Sequence, residues 1–204
     1  MMSMSADPAR LNAVGDLVLS DPREMRALAD PLRLTLFDLV RRQGPATSRA
    51  LAEHMNEDPA SIDDHLRVLE SVGLVDEAGT DRGEVRWRTA VNGIYFEIPE
   101  DPEGQRAARD LSNVMLAKYA ALPAAWVGEE EPKLELEWAR AAGLFNARLD
   151  LTADELRGIQ DELERLLESF TTRASQEKPA GVATVRILAY FLPEAKRDTP
   201  AASG

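Results

Sequence analysis

Five arginines are the residues of this chain whose placement matters most for chemistry: Arg49, Arg67, Arg82, Arg86 and Arg88 fall in a stretch that holds no lysine. A guanidinium is a permanent charge whose planar fork of donors fits a phosphate or a carboxylate. Groups able to do covalent or proton chemistry are sparse. The absence of cysteine excludes disulfides, thiolate metal sites and a cysteine nucleophile. His54 and His65 are the only histidines, no G-x-S-x-G or phosphate-cradling glycine loop occurs, and the carboxylates fall mostly on solvated helix faces. Asp63 and His65 are too close along one helix to share a metal well. No catalytic residues, no metal site and no cofactor are therefore expected, and the chain is not expected to be an enzyme.

Charge argues against the polyanion that these arginines would suit. The net charge is -12, and residues 21–98 alone carry ten arginines against fifteen carboxylates. Attraction to phosphate therefore depends on where the arginines stand, because the total is unfavourable. The amino terminus, MMSMSADPAR, shows neither a basic nor an apolar leader region, and no run approaches the roughly 18 apolar residues of a membrane span. A soluble, cytoplasmic protein without membrane contact is expected.

The elements that must position the arginines can be read from caps and breakers. Asp21-Pro22 opens a helix, and Pro31 interrupts the apolar series Met25, Leu28, Leu32, Leu36, Leu39, Val40, so two helices stand in tandem, the second capped by Asp30. Gly44-Pro45 ends the second, and Thr47 or Ser48 starts a third through Leu51, Ala52 and Met55. After the polar turn Asn56-Glu57-Asp58, Asp58 caps a fourth helix that begins at Pro59, carries Ile62, Leu66 and Leu69 on one face, and closes at Gly73. Two helices joined by a short turn form a helix-turn-helix. Leu74 to Glu77, a turn AGTDRGE, and the alternation Val85, Trp87, Thr89 against Arg86 and Arg88 predict a hairpin, the wing.

Beyond this the chain changes character. Residues 1–20 carry a short amphipathic pattern (Leu11, Val14, Leu17, Val18) of the kind that covers a neighbour or frays. A Pro/Glu/Gly-rich linker from Pro99 to Gly104 leads to a helix over 103–122, whose stripe Leu111, Val114, Met115, Tyr119, Leu122 has no evident partner in the winged region and is expected to form a dimer seam. An acidic loop over 128–133 and a short helix over 134–142 with Trp138 follow. Phe145, Ala147, Leu149 and Leu151 alternate as a strand, Thr152 to Glu155 is a capping box before a helix, and residues 184–191 read as an apolar strand. The tail after Pro193 is expected to be disordered. The fold class expected is mostly α with small β: a winged helix-turn-helix domain with an N-terminal arm over 1–98, a linker and dimerisation helices over 99–142, and a small C-terminal α+β unit with its tail over 143–204.

The run LADPLRLTLFDLV, ATSRALAEHM, DPASIDDHLRVLESVGLV and RGEVRWR resembles the ArsR family of winged-helix regulators, with Ala29 to Arg33, Leu51-Ala52, His65-Leu66, Leu69 and Gly73-Leu74-Val75 in register. The segments after it look like a subgroup with an added C-terminal domain. The resemblance implies a homodimer whose fourth helix enters the major groove of operator DNA. Its first turns would present Ala60, Ser61, Asp63 and Asp64 beside His65, with Arg67 on a phosphate and Arg82 at the wing tip in or beside the minor groove. Arg49, Arg86 and Arg88 are the further candidate phosphate contacts. Asp63 and Asp64 depart from the family pattern of Ser, His or Tyr; they must accept from cytosine N4, pair with an arginine, or weaken binding. A sequence-specific regulator, a repressor, follows as the expectation, with a winged-helix adaptor for protein partners as the alternative. Met115, Tyr119, Trp126 and Trp138 are candidates to line a pocket for a small organic effector, or else simply pack the core and dimer.

Overall fold

A computed structural model of the chain describes residues 10–171 and 181–194. The fold is mostly helical with two small sheets. The predicted caps explain the helix boundaries. Helix α1 (Pro22–Leu28) starts in a capping box in which Asp21 and Glu24 satisfy each other's free backbone amides, and α2 (Pro31–Gln43) starts on Asp30, whose carboxylate accepts from Arg33 N. Helix α3 (Ser48–Met55) is capped by Thr47. It ends at Asn56 in the left-handed conformation, and α4 (Pro59–Ser71) begins after Asp58, which accepts from both Ala60 N and Ser61 N at 3.1 Å. Their inner faces bury Leu51, Ala52, Ile62, Leu66 and Leu69 in one core with Leu36, Leu39, Val40 and Trp87.

The wing is longer and its turn tighter than the sequence suggests. Strands β3 (Val75–Asp81) and β4 (Glu84–Thr89) pair antiparallel around a two-residue turn, Arg82-Gly83, with φ of 49° and 87°. Two successive positive φ values give the turn the twist of the flanking strands, and glycine takes the second at no steric cost. A register shift between Glu77 and Thr80 lets β3 absorb the residues read as loop. A two-residue strand, β2 (Ala46–Thr47), pairs with β4 at Trp87 and Arg86, and so ties the start of α3 to the wing.

Three further features depart from the sequence reading. The N-terminal pattern forms a strand, β1 (Asp16–Leu19), parallel to β5 (Gly93–Phe96), with Leu17 and Leu19 buried. Helix α5 (Pro102–Tyr119) does not present a free seam, because Leu111 is fully buried with Ala107 and Ala108, and Val114 and Met115 pack on the same core. Its first half lies along α1, which supplies the partner that the sequence did not reveal. Residues 128–133, read as an acidic loop, continue a helical path: α6 (Leu122–Ala125) runs into a π-turn over Trp126–Glu130 and a 3-10 turn over Glu131–Lys133. Helix α7 (Leu136–Ala141) carries Trp138.

In the C-terminal unit the capping box holds: Thr152 N donates to Glu155 Oε2 at 2.7 Å and Glu155 N to Thr152 Oγ1 at 3.2 Å, starting α8 (Ala153–Thr171). The two segments expected as strands on either side of α8 run without ladder partners within the described chain. The first is solvent-exposed along its length and the second at all but Leu188 and Phe191, which are half-buried. The tail expected to be disordered lies, beyond Glu194, outside the described residues.

Candidate nucleic-acid interface

The exposed face of α4 follows from its buried one. With Ile62, Leu66 and Leu69 turned inward, the helical period leaves Ala60, Asp64, Val68 and Ser71 outward, with Ser61 half-buried beside them. Among the described residues Asp64 and His65 have no hydrogen-bond or ion-pair partner, so both are available to an incoming ligand. The capped start of α4 directs small side chains and the positive end of the helix dipole to the same place. Val68 was not singled out from the sequence. It stands four residues after Asp64 and seven after Ser61, a spacing that places it on the same stripe.

Asp63 is directed elsewhere. Its Oδ1 accepts from Ser48 Oγ at 2.8 Å and its Oδ2 lies 3.7 Å from Arg67 Nε. Ser48 Oγ in turn accepts from Trp87 Nε1 at 3.2 Å. A chain of polar contacts thus runs from the buried indole of the wing through the first residue of α3 to the first turns of α4. It fixes the angle between the two helices and the sheet.

The arginines divide by what holds them. Arg67 stacks over the Trp87 ring at 4.6 Å and reaches Glu77 at 2.6 Å, Glu70 at 3.1 Å and Asp63, so three carboxylates and an aromatic face lock it to its own domain. Arg49, the second residue of α3, donates through Nε and Nη2 to a single oxygen of Glu84, at 2.8 and 2.6 Å, and remains well exposed. Arg86 donates to the neutral carbonyl of Pro45 at 2.8 Å. Arg88 lies 4.0 Å from Asp76, beyond hydrogen-bond reach. Burial raises the Asp76 carboxyl above its ordinary value, and Arg88 only partly opposes this. Arg82, exposed at the wing tip, has no partner among the described residues.

The pairings of Arg49 with Glu84 and of Ser48 with Asp63 span 35 and 15 residues, and no local pattern marks them. Sequence reasoning could place the arginines on the correct elements but could not see their carboxylate partners.

The candidate effector residues do not converge on one cavity. Tyr119 Oη donates to Asp38 Oδ2 at 2.8 Å, and burial holds its phenol well above its ordinary value, so it acts as a neutral donor. Lys118 at 3.6 Å and Arg41 at 3.3 Å complete the shell of the buried Asp38, which joins α2 to α5. Met115 packs on the core, whereas Trp126 and Trp138 are half-buried outside it. A shallow groove elsewhere is lined by Ile98, Gln105, Ala108, Arg109 and Ser112, and includes none of the four.

Residues 28–78 match the family of helix-turn-helix domains, from the last residue of α1 through the first residues of β3. No curated protein matches the chain. The matched span holds α2, α3 and α4 with the turn between the last two, and supports a regulator of the helix-turn-helix type with DNA as its partner. No helix among the described residues is long and apolar enough to cross a membrane.

Proposed function

We propose that the chain is a sequence-specific transcriptional regulator of the ArsR type, a repressor that binds a palindromic operator as a homodimer and is not an enzyme. The observation that carries this reading is the outward stripe Ala60, Ser61, Asp64, Val68 at a capped helix start, set beside a wing whose tip holds the unpaired Arg82. Small residues let a helix approach base edges. Asp64 suits a cytosine amino group and Val68 a thymine methyl, while Arg82, Arg86 and the face of α3 bear on phosphates.

Dimerisation is part of the same proposal and rests on the apolar residues exposed among the described ones: Leu116 on α5, Leu166 on α8, and the extended segments around Phe145 and Ile187. Residues 1–98 then serve as the DNA-binding part, 99–142 as its link, and 143–204 as the part that joins two copies. A small organic effector would enter beside Trp126 and Trp138, whose rings are not used by the core. The cytoplasm is where such a regulator would act.

Footprinting on the promoter of the chain's own gene tests the reading. Protection of two half-sites about one helical turn apart is expected. Ser61→Ala and Arg82→Ala should weaken it, and Arg82→Ala should also lower the salt slope by about one. Absence of any protected site would overturn it, and capture of a protein partner that Asp64→Arg abolishes would favour the adaptor instead.

A further inference from the structure

The acidic character of this domain has a local form at the start of α3. Arg49 stands where a helix N-terminus and an exposed guanidinium would together receive a phosphate, yet both of its directed donors converge on Oε1 of Glu84 from β4. The pair is open to solvent on both sides, with side-chain exposures of 66% and 38%. Glu84 Oε2 makes no contact that would hold it there. This sets the pair apart from Arg67, whose three carboxylates and indole could be exchanged only by dismantling the junction of α4 with the wing. An exposed ion pair contributes little to stability, so the Arg49–Glu84 contact is easily traded for another anion.

Resting on the DNA-binding reading, we infer that Glu84 is a built-in competitor that limits operator affinity: in the free protein it takes the place of a DNA phosphate on Arg49, and only a duplex seated in register displaces it. A duplex held loosely by counterion release alone meets the Glu84 carboxylate as a competitor and gains nothing from Arg49. A duplex whose bases fit α4 brings a backbone phosphate to the α3 terminus, where it accepts from Arg49 with the helix end behind it and Glu84 turns to water. Only the seated duplex breaks the Arg49–Glu84 pair, so the carboxylate subtracts more affinity from cognate DNA than from non-cognate DNA and holds the operator complex below the strength its contacts allow.

Fluorescence anisotropy with the full chain, on the fragment of its own promoter and on a random-sequence duplex of equal length, tests this. The proteins are the wild type, Glu84→Gln, Arg49→Ala and the double variant. Glu84→Ala repeats the first substitution, and thermal unfolding confirms that each variant is folded. Glu84→Gln is expected to tighten binding to the promoter fragment by roughly two- to tenfold and to the random duplex by less, so the ratio between them rises. In the Arg49→Ala background the same substitution is expected to change neither affinity, which separates unmasking from a mere loss of negative charge. An equal or larger gain on the random duplex, no gain on the promoter fragment, or a gain that survives Arg49→Ala overturns the inference while leaving DNA binding intact. Binding that appears only in Glu84→Gln and is lost again in the double variant supports it. If no protein binds either duplex, the DNA-binding reading falls and the inference with it.

Discussion

Trp87 and Phe145 are both large aromatic side chains on extended segments of the same chain, and they sit at opposite limits of exposure, 0% and 93%. Around Trp87 the winged region is closed: its indole has a hydrogen-bond acceptor, a cation on its face and leucines from three helices behind it. Around Phe145 no described residue closes a core. Most of the large apolar residues that remain exposed lie after Val127, on α8 and the two extended segments that flank it. Soluble chains seldom leave such surface uncovered without a partner for it. The winged region thus has a closed core, completed by α5, while the last third carries apolar residues that, among the described residues, are only partly covered. The homodimer proposed above would cover the rest.

Substitutions can break or sharpen this contrast. The largest effect is expected from Trp87→Ala, which empties the centre of the closed core and removes the donor to Ser48 Oγ; a loss of about 3–5 kcal/mol in urea unfolding is expected, and a loss near zero would deny that the core is closed there. Leu166→Asp comes next. In a monomer a 62% exposed leucine tolerates the change; in the proposed dimer it buries a charge, and light scattering should show dissociation to monomers at concentrations roughly tenfold or more above those at which the wild type separates. Unchanged mass would remove α8 from the interface.

A smaller effect is expected from Asp58→Ala, which leaves Ala60 N and Ser61 N without their acceptor. About 1 kcal/mol of stability should be lost, read by thermal melts, with DNA affinity falling further than that of a variant at the Thr152 cap. The smallest is a pH effect at Asp76. Its folded-state value is raised above the ordinary 3.8 by burial, so the stability linked to its proton is fully present below that value and is lost as pH rises through the folded one. Asp76→Asn should therefore be slightly more stable than wild type at neutral pH and lose that advantage in acid, by comparing melting temperatures across pH. An advantage that grows on acidification would contradict the burial of a charged Asp76.

What the sequence made legible was local. Asp21, Asp30, Thr47, Asp58 and Thr152 each announce a helix within four residues of themselves, and each is found capping one. What it hid was distant. Leu17 pairs with Ile94 across more than seventy residues, and the stripe of α5 finds α1 only after the chain has folded back. The wing turn reads too broadly in the sequence because Gly79 and Gly83 both satisfy a turn signal, and only the pairing of Asp81 with Glu84 narrows it to Arg82-Gly83. At the candidate site the elements and most surface residues could be read, and Val68 could have been added by spacing alone. The carboxylates that hold Arg49 and Arg67 could not, because ion pairs between an α3 or α4 residue and the wing leave no periodic trace.

The central claim is that a domain with a net excess of carboxylates binds DNA through a few placed groups. A titration of the full chain with the promoter fragment of its own gene, in competition with random-sequence DNA and repeated at rising salt, tests it most directly. The expected result is a site bound at least about a thousandfold more tightly than random sequence, with a logarithmic salt slope of only a few units because few phosphates are contacted. Equal affinity for every sequence, or no binding at low salt, would contradict it.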